Sequence, residues 1–395
     1  MAENQILNAP PFSSLPGLLP PALHGAVRTR LDPWREWASP DHRKRWQELA
    51  AAATTPNPFF EPWYLLPAYE AFDTQASGRI LTLEIGNELV GLLPLATASR
   101  YGRWPLPHLG TWLHPNAFLG APLVRAGCEA LFWKALFEWA DEDRTATRAL
   151  FLHMPAMPLE QPLTQALFDV ADRENRTAAL VMREQRALLH SPLTPELYLE
   201  RALPGKKRKE LRRQHTRLSE QGELAFQRQD DTTDIAEWTE AFLTLESRGW
   251  KGESGSAMAS APGTAALFRQ SLTSAAALGK LERLSLKLDG QPIAMLANFL
   301  TAPGSFSFKT AFDEAYSRFS PGVLLQRENL ALLSRPDIQW CDSCAAPDHP
   351  MIDSLWTERR PIGRISVALG GKLRRTAFET LLALELRRNP TGLGR

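Results

Sequence analysis

The chain has 395 residues, 44% of them hydrophobic, with 45 lysines and arginines against 44 acids for a formal net charge of +1. That length exceeds one ordinary core and suits two domains of roughly 200 residues each. Near-neutrality excludes a whole-protein pull toward nucleic acid or anionic membrane and leaves that work to local patches. Three cysteines, Cys128, Cys341 and Cys344, are too few and too poorly spaced for a disulfide framework, which fits a reducing cytoplasm. Cys341-Asp-Ser-Cys344 with nearby His349 lacks a fourth ligand, so no metal is expected.

The N-terminus has neither the basic start nor the apolar run of a leader, and no stretch reaches the ~18 apolar residues of a spanning helix. Residues 1–45 read as a loose Pro-rich arm. A first domain is expected over 46–190. In it Arg79–Ile85 alternates into a Gly86-Asn87 turn, Leu89–Thr97 returns as the hairpin partner, and Leu106–Leu113 supplies a third strand. Cys128–Ala140 then follows helical spacing, and Leu150–His153 reads as a strand.

A second domain is expected over 191–395. It opens on a basic helix, 205–222, in which Lys206, Lys207, Arg208, Lys209, Arg212, Arg213 and Arg217 surround the apolar Leu211 and Leu218. Such a helix is either a solvated face or a seat for a polyanion. Asp234–Arg248 reads as a helix capped by Asp234 and Glu237 and ended by Gly249. Leu281–Leu288, an Asp289-Gly290 turn, Pro292–Leu300 and Ser305–Phe312 repeat the hairpin and third strand. A helix opening Ser320-Pro321-Gly322 and a short strand at Ile338–Cys341 complete the repeat, which suggests internal duplication. Lys372–Arg388 closes as an amphipathic helix carrying Leu373, Phe378 and Leu382, packed on the second domain.

The Ser320-Pro321-Gly322 start has the composition of an anion seat: a capping hydroxyl, a proline whose missing N–H costs nothing, and a glycine that bares backbone. Group transfer at such a seat would also need a proton acceptor and donors for a developing negative charge. Asp313, Tyr316, Asp342 and His349 are the candidates for proton transfer. Lys309 reads as pointing away from the neighbouring phenylalanines. Glu246, Trp250 and Lys251, with Lys309, are candidates for holding substrate.

The phrases FLTLESRGWKGESGSA (242–257), FSFKTAFDEAYSRFSPGVLL (306–325) and IDSLWTERRPIG (352–363), with FFEPWYLLPAYEAF and VGLLPL upstream, resemble the CelD-type branch of the GNAT acyltransferase superfamily, related to the Fem-type aminoacyltransferases. The resemblance runs from about Asn57 to Gly370. It implies an α/β fold of two tandem GNAT-like domains, each a mixed, largely antiparallel sheet flanked by helices. It implies acyl-CoA, most simply acetyl-CoA, as co-substrate, with Arg318, Ser320, Gly322, Val323 and Leu324 as the pyrophosphate loop. This loop has one glycine where the superfamily pattern has two. The function implied is acyl transfer to an amine or hydroxyl, in a small molecule or a glycan, in cell-envelope polysaccharide synthesis, by a cytoplasmic protein that rests at most peripherally on the inner membrane. Two alternatives stand beside it: aminoacyl transfer from tRNA, and a non-catalytic polyanion-binding scaffold.

Overall fold

The computed structural model describes residues 23–102, 104–142 and 148–388. In chain order the strands are β1 (Val27–Pro33), β2 (Arg79–Ile85), β3 (Glu88–Ala98), β4 (His108–Thr111), β5 (Leu123–Val124), β6 (Phe151–Pro158), β7 (Ala178–Leu189), β8 (Leu224–Gln229), β9 (Leu281–Leu288), β10 (Gln291–Thr301), β11 (Gly304–Phe312), β12 (Trp340–Asp342) and β13 (Glu358–Ala368). The helices are α1 (Pro40–Ala51), α2 (Pro62–Phe72), α3 (Glu129–Glu142), α4 (Pro162–Arg173), α5 (Pro195–Ala202), α6 (Gly205–Ser219), α7 (Ile235–Arg248), α8 (Trp250–Glu253), α9 (Pro262–Ala277), α10 (Pro321–Asn329), α11 (Pro350–Asp353) and α12 (Lys372–Arg388).

The chain divides into two compact units that interleave in sequence, in place of one cut near residue 190. The first comprises Met1–Pro62, Asp73–Glu184 and Pro361–Arg395, the second Trp63–Phe72 and Gln185–Arg360. The closing helix α12 therefore falls in the first unit. It buries Phe378 and Leu382 with Phe151 and Ala368, while Leu373 is exposed. The expected arm, 1–45, is a loose segment neither in β1 nor at the start of α1. β1 pairs antiparallel with β2 from Val27↔Ile85 to Pro33↔Arg79, and Trp34 and Trp37 are buried behind it. Residues 1–22 of that arm lie outside the described residues.

In the first unit the strand order is β1-β2-β3-β4-β6-β13, and only the β4/β6 pair, Leu109↔Leu152 and Gly110↔His153, is parallel. In the second the order is β8-β9-β10-β11-β12-β7, and only β11/β12 is parallel. A hairpin, a third strand, a helix and a parallel return strand thus occur in each unit. This is the duplicated order that the alternating runs and turn residues predict. Asp289 and Gly290 both have positive φ, 49° and 78°, as a type I′ turn requires.

The core of the second unit joins Leu284, Leu286 and Leu296 of the sheet to Leu324 and Leu325 of α10 and Leu211 and Leu218 of α6. α7 buries Trp238, Phe242 and Leu245 as its spacing predicts. Its start differs from the expected capping box: Asp234 adopts the left-handed conformation at φ 52° and its side chain caps nothing.

Candidate functional site

The site is built where β11 outruns β12. The two strands pair in parallel at Gly304↔Trp340, Ser305↔Cys341 and Phe306↔Asp342. β12 then stops, and β11 continues through Phe312 to the turn before α10. A second irregularity faces this opening. The β10/β11 register shifts between Ala297 and Asn298, so Asn298 opposes Ser307 while Ala297 opposes Lys309, and Phe308 is the extra residue of a bulge. Cross-strand partners share a face. Lys309 therefore lies on the face of Phe299 and Phe306, where simple alternation would place it on the other. A bulge leaves no mark in the alternation of Phe306, Phe308 and Thr310, which is why the sequence misdirects this side chain.

On that face the ends of several elements meet Lys309. Glu246, buried in the last turn of α7, accepts from Lys251 Nζ at 2.9 Å and from the Met258 amide at 2.7 Å. Lys251 Nζ also donates to the Thr310 carbonyl at 3.0 Å. Burial and the neighbouring Lys251 ammonium push Lys309 down to about 8, with Glu246 and the Cys344 thiol opposing the shift. His349 is drawn below its ordinary 6.5, first by burial and then by Lys251, so its imidazole is neutral at neutral pH. Its Nδ1 is buried with no partner in another described residue. Tyr64 of α2 reaches the same neighbourhood, its ring 5.8 Å from that of Phe308 and its hydroxyl pushed up by burial and by Cys344. Glu246, Lys251, Lys309 and His349, predicted separately, thus form one constellation. Tyr64 and Cys344 were missed, because the chain places nothing beside them that marks them out.

The fold disfavours the Lys309 charge, so Lys309→Met is expected to raise Tm at pH 7. The folded chain releases this proton near 8 and the unfolded chain near 10.5. Between those values the wild type gains stability with pH, and the variant's advantage should shrink across that window. A lower Tm for the variant at pH 7 would show that the ammonium is stabilised where it sits.

The expected pyrophosphate loop lies at the other end of the same turn. Asp313 caps a 3-10 turn, Glu314–Phe319, through the Ala315 amide at 2.9 Å. Tyr316 packs half-buried against the core of the second unit. Arg318 is exposed, with its guanidinium 4.6 Å over the Phe319 ring. Two expectations fail here. Ser320 has φ 53° and its hydroxyl caps no amide of α10; it accepts instead from Gln214 Nε2 at 3.2 Å, while the Ser320 carbonyl receives the Val323 and Leu324 amides at 3.0 Å each. Gly322 does not bare backbone to a ligand. It is buried, and a Cβ there would come within 2.6 Å of Met351 Sδ and 3.3 Å of the Phe312 ring, so this glycine serves close packing.

Asp342 is also not an available base. It is fully buried at the end of β12, bonded to Arg360 at 3.0 Å, Arg186 at 3.5 Å and the Cys344 amide at 2.8 Å. Its charge is committed to the fold. Beneath α10 the Asn298 amide nitrogen donates to Glu282 and Asn329, and Asn329 donates to Gln326.

The basic helix is α6. Arg208 pairs with Glu200 and Arg213 with Glu210, whereas Lys206, Lys207, Lys209, Arg212 and Arg217 have no ion pair among the described residues. Gln214 fastens this helix to the head of α10 through the Ser320 hydroxyl and the Arg318 carbonyl. All three cysteines are buried and free, and no group of three or more metal-ligating side chains occurs among the described residues.

A sheet whose third strand leads through a turn into a helix, and whose return strand parts from it, is the frame of a GNAT acyltransferase. Residues 205–349 match the family described as acetyltransferase (GNAT) domain, so the second unit carries such a domain and the chain is an acyltransferase. Among solved structures the chain resembles FemX, 9% identical over 83% of this chain and 96% of that one, with a TM-score of 0.56. It also resembles a conserved protein of unknown function from Bacteroides thetaiotaomicron, 12% identical over 83% and 97%, with a TM-score of 0.52. At those identities the likeness is one of fold. No curated protein matches the chain.

Proposed function

We propose that the second unit transfers an acyl group, acetyl in the simplest case, from acyl-CoA to an amine or hydroxyl, as a member of the CelD-type branch. The observation that carries this reading is the Lys309, Lys251 and His349 constellation placed where β11 outruns β12. The thioester would lie along the open length of β11, with its pyrophosphate toward Arg318 and the head of α10. Neutral His349 takes the proton of the attacking amine. The burial and the neighbouring Lys251 that depress Lys309 would depress an incoming ammonium in the same way and favour the free amine. Attack on the carbonyl gives an oxyanion that Lys309 and Lys251 stabilise. The C–S bond then breaks, and the thiolate leaves with a proton, a donation that falls to Tyr316. Asp313, as a cap, positions this turn. The acceptor's pathway, envelope polysaccharide synthesis, rests on the sequence resemblance alone.

A second reading draws on α6. Seven cations and one acid give this helix a net +6, so the remaining chain carries −5 against a total of +1. A polyanion would be steered to this one helix. An aminoacyl-tRNA donor would use it. No helix among the described residues is long and apolar enough to cross a membrane, so any membrane contact would be peripheral. Calorimetric titration with acetyl-CoA, CoA and aminoacyl-tRNA separates the readings. Saturable acetyl-CoA binding is expected. Binding of aminoacyl-tRNA alone, lost when Lys206, Lys207 and Lys209 are neutralised, would overturn the CoA reading.

A further inference from the structure

Trp250 is 54% exposed, the most exposed aromatic side chain of the second unit among the described residues. An exposed indole on a loose loop needs no explanation. This one is held by a loop fastened at nearly every residue. The Trp250 amide donates to Glu314 Oε1 at 2.7 Å. The next carbonyl, that of Lys251, gathers the Ser256 amide at 2.8 Å, the Ala257 amide at 3.0 Å and the hydroxyls of Ser254 and Ser256 at 3.2 and 3.3 Å. The Lys251 side chain is anchored inward on Glu246 and the Thr310 carbonyl. Gly252 is obligatory, since a Cβ would run into the Ser247 carbonyl.

The chemistry around the indole points to one class of visitor. Glu314 is hydrogen-bonded to its backbone, and Glu253, exposed, stands one helical turn further on. One carboxylate on the amide of Trp250 and a second three residues along, set against the exposed Arg248 two residues before, leave the exposed residues around the indole with a net negative charge that attracts cations, and an indole is the best aromatic partner for an ammonium. The lysine nearest in sequence turns its charge away into the interior. We propose that Trp250, with Glu253 and Glu314, is a docking platform for an acceptor that arrives as a cationic amine, one residue before Lys251, whose side chain reaches inward to the neighbourhood of Lys309 and His349. This deepens the acyl-transfer reading and rests on it. An acceptor recognised as an ammonium at Trp250 would lose its proton only on passing inward, where burial and the lysines disfavour a further positive charge.

The test uses the full chain labelled with 5-fluorotryptophan and followed by fluorine NMR, the Trp250 resonance being the one absent from Trp250→Leu. n-Butylammonium is expected to shift that resonance saturably at pH 7, and its neutral isostere n-butanol is not. Glu314→Gln keeps the acceptor for the Trp250 amide and removes the charge, and should weaken the ammonium response about tenfold. An equal response to n-butanol, no response to either probe, or a response to CoA alone would each overturn the proposal. Acetyl-CoA binding measured on the same samples separates its failure from that of acyl transfer: binding with a silent Trp250 sinks the platform only, and absent binding sinks both.

Discussion

Asp342→Ala is expected to lose about 3–5 kcal/mol of stability, the cost of stripping the carboxylate from a buried ion cluster. Arg186 and Arg360 converge on Asp342 at 3.5 and 3.0 Å, and all three side chains are buried. Removing the anion leaves two guanidinium groups facing each other in low dielectric, together with an unsatisfied Cys344 amide. For a unit of this size Tm should fall by roughly 10 °C. Asp342→Asn keeps an acceptor for the amide and should fall by less. Thermal unfolding followed by circular dichroism decides it, and a Tm within a degree or two of wild type would show that the arginines are satisfied elsewhere. Cys344 belongs to the neighbourhood of Lys309, so a destabilised Asp342 variant should also lose activity at temperatures where it is still folded.

His349→Ala is expected to lower kcat by about a hundredfold or more, the range for removing a general base. The pH profile gives the sharper check. A base must be unprotonated, so kcat/KM should rise through a midpoint below 6.5 that belongs to His349. Lys309 must be protonated to stabilise an oxyanion, so activity should fall again near 8. Lys309→Met should abolish the alkaline limb while leaving the acid one in place, and a profile unchanged by that substitution would remove Lys309 from the reaction.

Much of the frame was legible because period and turn chemistry are local. The two hairpins, their third strands and the helices α3, α7 and α10 follow from alternation, Asp-Gly or Gly-Asn turns and 3.6-residue spacing. Glu246, Lys251, Lys309 and His349 were each legible as polar candidates on their own segments, but nothing local to any of them announces that they gather. What escaped was nonlocal. The bulge at Phe308 is set by the register against β10, so nothing near Lys309 announces its direction. Gly322 read as exposed backbone because the sulfur that fills its space comes from Met351, 29 residues on. Asp342 read as a free carboxylate because its arginines lie at 186 and 360. The interleaving of the units escaped for the same reason.

That interleaving imposes an order on the nascent chain. All segments of the second unit have been made once residue 360 is added, whereas the first still awaits Pro361–Arg395. Within the first unit, β6 stays without its β13 partner from Pro361 onward until synthesis passes Ala368. Vectorial synthesis therefore favours completion of the acetyltransferase unit first, while the β6 edge of its companion stays open to mispairing for as long as the ribosome takes to translate some two hundred intervening codons.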